Sequence, residues 1–274
     1  MNNNLFGYQP GTSFIHQLTG STKLIGFLAL TLSGMLSFDL RYLVILALLS
    51  IGLLWQSGIK WARISFLVKA VAVFAALNIV LIYLFAPQYG TQLFGAKHVI
   101  LGSGGYALTL EQLVYESIVL IKYLVSLPLA LLFLLTTNPS EFAAGMNKIG
   151  ISYRFGYAFA LTLRYIPDIQ AEYKIVSNAQ QARGFEMSSK AKLSQRLKGV
   201  MGIMLPMVFS SLSRIDEISR AMELRRFGRL KHRTWYYQQI LTWRDGTAIL
   251  VIVSVVCLSF VLIFFNHGRY WYPL

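Results

Sequence analysis

Ser177–Met187 reads SNAQQARGFEM, and Ser219–Gly228 reads SRAMELRRFG. Each phrase ends an alanine-bearing run with an arginine and has a glycine close behind it. Stepping back from Arg183 at helical spacing meets Ala179 and Val176, and the same steps from Arg225 meet Met222 and Ile218. Each arginine thus extends an apolar stripe to the tip of a helix, and Gly184 and Gly228 supply the stops. A cation in a last turn is favourable against the helix dipole in its own right. Lysine would serve that purpose equally, without small neighbours. Arginine is distinctive where a planar fork must engage carboxylates or backbone carbonyls, and small neighbours matter where a tip enters a groove.

Outward from these tips, Ile166, Ile169, Tyr173, Val176 and Ala179 recur at spacings of three and four, with Arg164, Asp168 and Glu172 on another face. This predicts an amphipathic helix from Tyr157 to Arg183, about 40 Å long and kinked at Pro167. A second is predicted over Lys192–Phe227, kinked near Pro206, with Val208, Leu212, Ile215, Ile218 and Met222 on its stripe. The two stripes are expected to face each other. Upstream, TTNPSEF at Thr136–Phe142 carries helix-start chemistry: Asn138 as cap, Pro139 at the first helical position and Glu141 in the first turn. The short helix that follows is expected to stop at Gly150.

The chain around this region is 55% hydrophobic and 13% charged over 274 residues. A soluble domain averages about 25% charged. Runs near the roughly 20 residues needed to cross a bilayer occur at Lys23–Phe38, Arg41–Gln56, Ile64–Ala86, Leu113–Leu135 and Thr247–Phe265. Only Asp39 and its neighbours separate the first two, which predicts a tight hairpin. Of the 25 Lys and Arg, 17 lie between Thr136 and Gly246, whereas Pro87–Gln112 holds only Lys97. The positive-inside rule then places 136–246 and the N-terminus in the cytoplasm and the tail NHGRYWYPL outside, with Tyr270, Trp271 and Tyr272 in an interfacial aromatic belt. The opening MNNNLFGYQPGTSF lacks a basic n-region and cleavage site, so no removable signal peptide is expected. The predicted fold class is all-α: a polytopic membrane protein of about five spans with long amphipathic helices between the last two. Its regions are a four-span part at 1–135, a cytoplasmic helical domain at 136–246, and a last span with external tail at 247–274.

Charges inside spans are costly and need a reason. Lys122 is read as an intramembrane polar contact in the bundle interior, Glu116 as reaching water near the outer interface, and Lys69 as snorkelling. Ala72 and Ala76 have small-xxx-small spacing, read as close packing. The single cysteine, Cys257, excludes an intrachain disulfide. His16, His98, His232 and His267 are scattered, so neither a metal site nor a cofactor is expected. GSGG at Gly102–Gly105 reads as a turn. A Walker A loop does not occur in the sequence, so ATP hydrolysis would have to come from elsewhere. The net charge of +14 sits on a membrane-tethered amphipathic region, which argues against nucleic acid as a partner.

TTNPSEF, LTLRYIP, QQARGFE and SRIDEISRAMELRRFG, in this order over Leu113–Leu230, resemble the T component of energy-coupling-factor transporters, the EcfT/CbiQ family. The resemblance implies a non-catalytic scaffold that joins two cytoplasmic ABC-type ATPases to a membrane S component for uptake of a vitamin or transition-metal ion. It also implies that two Ala-Arg-Gly motifs end coupling helices and dock in the ATPases. Ala182, Arg183 and Gly184 match the first motif. Ala221, Met222, Glu223 and Arg225 match the second, while Leu224 and Arg226 stand where the family commonly has Ala and Gly. The lipid bilayer is the remaining partner. An intramembrane lipid-modifying enzyme and a stand-alone transporter are the competing readings; the first would require clustered acids or histidines, the second would not need matched tips.

Overall fold

The computed structural model describes residues 9, 11–102, 104–184, 193–230, 240–266 and 268–271. Expectations for the N-terminal opening, Tyr272, His232, His267 and the start of the second long helix at Lys192 lie outside these residues. The elements are α1 (Gly20–Leu36), α2 (Leu40–Gln56), α3 (Trp61–Phe85), α4 (Tyr89–Phe94), β1 (Val99–Leu101), β2 (Leu108–Thr109), α5 (Leu110–Thr136), α6 (Pro139–Lys148), α7 (Tyr153–Ala182), α8 (Leu193–Leu224) and α9 (Trp243–Phe265). The all-α membrane fold expected from the apolar runs is present. Helices α3, α5 and α9 are long and apolar enough to cross a membrane, and α1 and α2 are shorter apolar helices of 17 residues each.

The chain forms two compact units, Met1–Ile149 with Tyr237–Leu274, and Gly150–Tyr236. Helix α6 packs along α1 within the first unit.

In that first unit α5 is the central helix, in contact with α1, α2, α3 and α4. The core gathers Leu30, Tyr42, Leu43, Leu46, Ile118, Val125 and Leu129. The Tyr42 hydroxyl donates to Ser33 Oγ at 2.7 Å, a polar tie between α1 and α2 where hydrocarbon offers no alternative partner. Asp39 makes the tight α1–α2 connection as the cap of α2, accepting from Arg41 N at 2.9 Å. The C-terminal strap closes over this turn. Asn266 Nδ2 donates to the buried Asp39 carboxylate at 2.8 Å, and Phe38 N–H donates to Arg269 O at 3.0 Å. Tyr270 and Trp271, expected in an aromatic belt, serve the strap: Tyr270 packs on Phe38 and Phe94, and Trp271 lies 3.7 Å beneath the Arg41 guanidinium.

Where helices cross closely, glycine is required. A Cβ on Gly20 would meet Glu141 O at 2.4 Å, and one on Gly145 would meet Ser21 N at 2.8 Å. These two glycines bring α6 against the first turn of α1.

Candidate functional site: two arginine-tipped helices

Helices α7 and α8 form an antiparallel pair. Gln180 Nε2 donates to Gly202 O at 3.1 Å, Arg214 Nη2 meets Glu172 Oε2 at 3.2 Å, and Arg154 Nη2 donates to Gly228 O at 2.7 Å. Later positions on α7 therefore pair with earlier ones on α8 along the whole length. Phe227 completes the register by packing on Tyr153 and Tyr157, with centroids 5.6 and 4.7 Å away. Arg183 thus lies at one end of the pair and Arg225 at the other, about 35–40 Å apart at the helical rise per residue.

The tips share one capping geometry. Arg183 is the C-cap of α7, and Gly184, at φ 88°, donates its N–H to Gln181 O. After α8, Arg225 takes the equivalent place, and Arg226 adopts a left-handed φ of 54°. Arg226 N–H donates to Glu223 O and Phe227 N–H to Met222 O, both at 2.9 Å, the paired bonds of a Schellman ending. Arg226 therefore holds the conformation for which glycine is suited, and it is the one non-glycine residue with positive φ among those described. Around this tip Tyr153, Arg225, Arg226, Gly228, Arg229 and Leu230 line a recess of about 450 Å³. Arg183, Ala182, Gly184, Ala221, Glu223 and Arg225 are exposed, and Met222 is half-buried.

The expected mutual burial of apolar stripes does not occur. Ile166, Ile169, Tyr173, Val208, Leu212 and Ile215 are exposed, and only Val176, Ile218 and Met222 of the two stripes are half-buried. The covered positions instead include the small residues Ser177, Gly199 and Gly202 together with the apolar Ile203, and Gln180 and the Glu172–Arg214 pair bridge the helices. Small side chains allow close approach, so the greasy stripes face away from the seam. Helix α7 starts at Tyr153, a turn earlier than predicted, and both helices continue through Pro167 and Pro206.

Of the charges inside spans, Lys122 donates to Met35 O at 2.9 Å and rests 3.4 Å from the Phe38 ring centre. It satisfies a terminal carbonyl of α1. Glu116 accepts from Gln112 Nε2 at 3.0 Å, and Gln112 in turn accepts from Gly90 N.

A polar joint at the first turn of α1 escaped the sequence reading. Lys23, with its side chain 3% exposed, donates to Thr136 O at 2.8 Å and His16 O at 3.2 Å and stands 3.7 Å from Glu141. Beside it the buried Asp245 accepts from Thr19 N and Thr19 Oγ1, and from Thr242 N and Thr242 Oγ1 at the start of α9. These bonds join α1, α5, α6 and α9. The available signal was the cluster Thr19, Ser21, Thr22 and Lys23 opening an apolar run.

Together these features define a class: a polytopic helical membrane protein carrying an antiparallel, arginine-tipped helix pair. The family described as CbiQ, cobalt transport protein, matches residues 11–236, and the chain belongs to that family. It is 26% identical to the energy-coupling factor transporter transmembrane protein EcfT of Lactococcus lactis subsp. cremoris (strain MG1363), over 97% of this chain and 99% of that one. The protein of the same description from Bacillus subtilis (strain 168) is 26% identical over 93% of this chain and 96% of its own. That of Brevibacillus brevis is 29% identical over 91% and 93%.

Proposed function

We propose that this chain is the transmembrane T component of an energy-coupling-factor importer, a non-catalytic scaffold between two cytoplasmic ABC-type ATPases and a membrane S component that binds the cargo. The observation that carries the proposal is the pair of tips: two arginines in the same C-cap geometry, at opposite ends of one antiparallel helix pair. A single chain that grips two similar protomers needs two similar grips at a fixed separation. Arg183 and Arg225 are the docking forks, with Ala182, Gly184, Ala221, Met222 and Glu223 shaping the tips. Arg226 adds charge at the second.

Nucleotide-driven closure of the ATPases would displace the tips, and α7 and α8 would carry that motion along the chain to α6 and its glycine-tight seat on α1. The exposed apolar faces of α7 and α8 suit contact with the S component. In this arrangement the N-terminus and 136–246 are cytoplasmic, the C-terminal strap is external, and the cargo is a vitamin or a transition-metal ion selected by the S component.

Co-purification from native membranes tests the reading. Recovery of two nucleotide-binding subunits is expected, with Arg183→Glu and Arg225→Glu each weakening ATPase association or uncoupling hydrolysis from uptake, and the double variant worse. Recovery of the chain free of ATPases, or normal uptake in the double variant, would return the choice to a lipid-modifying enzyme or a stand-alone transporter.

A further inference from the structure

A groove of about 240 Å³ opens among α1, α2, α5 and α9. Its wall is apolar, running from Leu18 and Phe27 past Leu53 and Leu132 to Val251 and Ile252. The volume exceeds the roughly 150 Å³ of an engineered apolar cavity that takes up benzene. At membrane depth, the natural filler of such a space is hydrocarbon.

Depth is marked by the helix starts. Helix α9 opens with Trp243 and Arg244, and α3 opens with Trp61 just after Lys60, the pairing of aromatic and basic residues typical of a membrane interface. The groove begins one turn further into α9, at Thr247 and Ala248, and continues to Val251. Arg244 precedes Ala248 by four positions and Val251 by seven, so it shares their face of the helix. It is half-buried, 5.9 Å from the Trp243 ring, and has no carboxylate partner among the described residues. Lys23, which also lines the groove, is already committed to Thr136 O, His16 O and Glu141. The open positive charge at the mouth is therefore that of Arg244.

We infer that this groove binds one acyl chain of an anionic phospholipid from the leaflet that meets the start of α9, with the headgroup phosphate on the Arg244 guanidinium. A guanidinium fork suits phosphate oxygens, and an anionic leaflet concentrates such lipids beside basic residues. The apolar flank of a partner's membrane helix would fill the groove equally well but would leave Arg244 without a counter-charge. Lipid meets both requirements.

The test uses the full chain in phosphatidylcholine vesicles containing phosphatidylglycerol with a photoactivatable diazirine in mid-chain. Labelled peptides are mapped by mass spectrometry. Labelling should concentrate on residues 26–30 and 248–252, fall when unlabelled phosphatidylglycerol competes, and be several-fold weaker with the phosphatidylcholine analogue. Arg244→Gln should erase the difference between the two lipids. Ala248→Trp should remove groove labelling while labelling of the outward face of α3 persists, which also reports that the variant is folded. If that variant does not fold, competition on the unaltered chain decides. Equal labelling by the two analogues, or indifference to competitor, would overturn the inference.

Discussion

Phe227 lays its ring on Tyr157, 4.7 Å between centroids, immediately after Arg226 has turned the chain into the left-handed region at φ 54°. The strained residue and the latch are adjacent because a Schellman ending reverses the chain and returns the next side chain toward the helix pair. Left-handed backbone costs a residue with a Cβ about 1 kcal/mol relative to glycine. Arg226→Gly is therefore expected to raise the apparent unfolding midpoint, by about 2 °C if unfolding is cooperative over the chain. It should also reduce the salt sensitivity of ATPase association. A scan of the purified protein in detergent checks the first effect. An unchanged or lowered midpoint would show that the guanidinium stabilises the tip by more than its backbone costs it.

Phe227 itself joins the end of α8 to the start of α7 through Tyr153 and Tyr157, assisted by the Arg154 bond to Gly228 O. It is half-buried, so Phe227→Ala should cost about 1–2 kcal/mol, below the range of a fully buried aromatic. The loss should appear locally, as faster amide exchange at 153–160 and 218–226, with protection around Gln180 and Gly202 retained. Uniform loss of protection over both helices would contradict the latch.

Local chemistry made the tips and helix starts legible in the sequence. Asn138 caps α6 through Ser140 N as expected, and the five apolar runs correspond to α1, α2, α3, α5 and α9 because length and hydropathy are properties of a segment alone. The seam between α7 and α8 was not legible. Burial of apolar stripes assumes that a helix pair has only itself and water for company, whereas here Ser177, Gly202 and Glu172–Arg214 form the seam and Ile169 and Leu212 point elsewhere. The polar joint escaped for a different reason. Lys23 finds Thr136, and Thr19 finds Asp245, across 113 and 226 positions of chain, and no periodicity encodes such pairs.

Gly145 sits where a Cβ would lie 2.8 Å from Ser21 N and 2.9 Å from Gly20 C, both backbone atoms that cannot rotate away. Gly145→Ala must move α6 off α1, a strain of about 1–3 kcal/mol. Under the proposed function this variant should keep its ATPases and hydrolyse ATP while losing uptake, since the tips are intact and the seat is not. Measurement of both activities on one preparation checks this, and normal uptake would remove α6 from the path.

His16, in the segment before α1, has its pKa held below the ordinary 6.5, first by burial and then by the charge of Lys23, against a smaller opposing hydrogen bond to the Gln9 backbone. The folded protein thus resists a proton that the unfolded chain accepts. Stability from this group is fully present above about pH 6.5 and declines as the pH falls through that value. The unfolding midpoint should drop between about pH 7 and 5.5, and His16→Gln should flatten that part of the profile. An unaltered slope in the variant would assign the dependence to other groups.

Lys23 and Glu141 are both largely buried, their side chains 3% and 13% exposed, with charges 3.7 Å apart. Breaking one half of such a pair is costly because the other charge stays behind in a poor solvent, whereas removing both forfeits only what remained after desolvation. Lys23→Met takes the ammonium from beside the Glu141 carboxylate and frees the His16 and Thr136 carbonyls, and should cost about 3 kcal/mol. Glu141→Gln leaves the ammonium with its two carbonyl acceptors and should cost less. The double variant Lys23→Met, Glu141→Gln should therefore be less destabilised than the sum of the singles, a positive coupling read from a four-state unfolding cycle. Strict additivity would mean that the ammonium is held by the Thr136 and His16 carbonyls alone. In that case α6 would be seated on α1 chiefly by the close backbone approaches at Gly20 and Gly145.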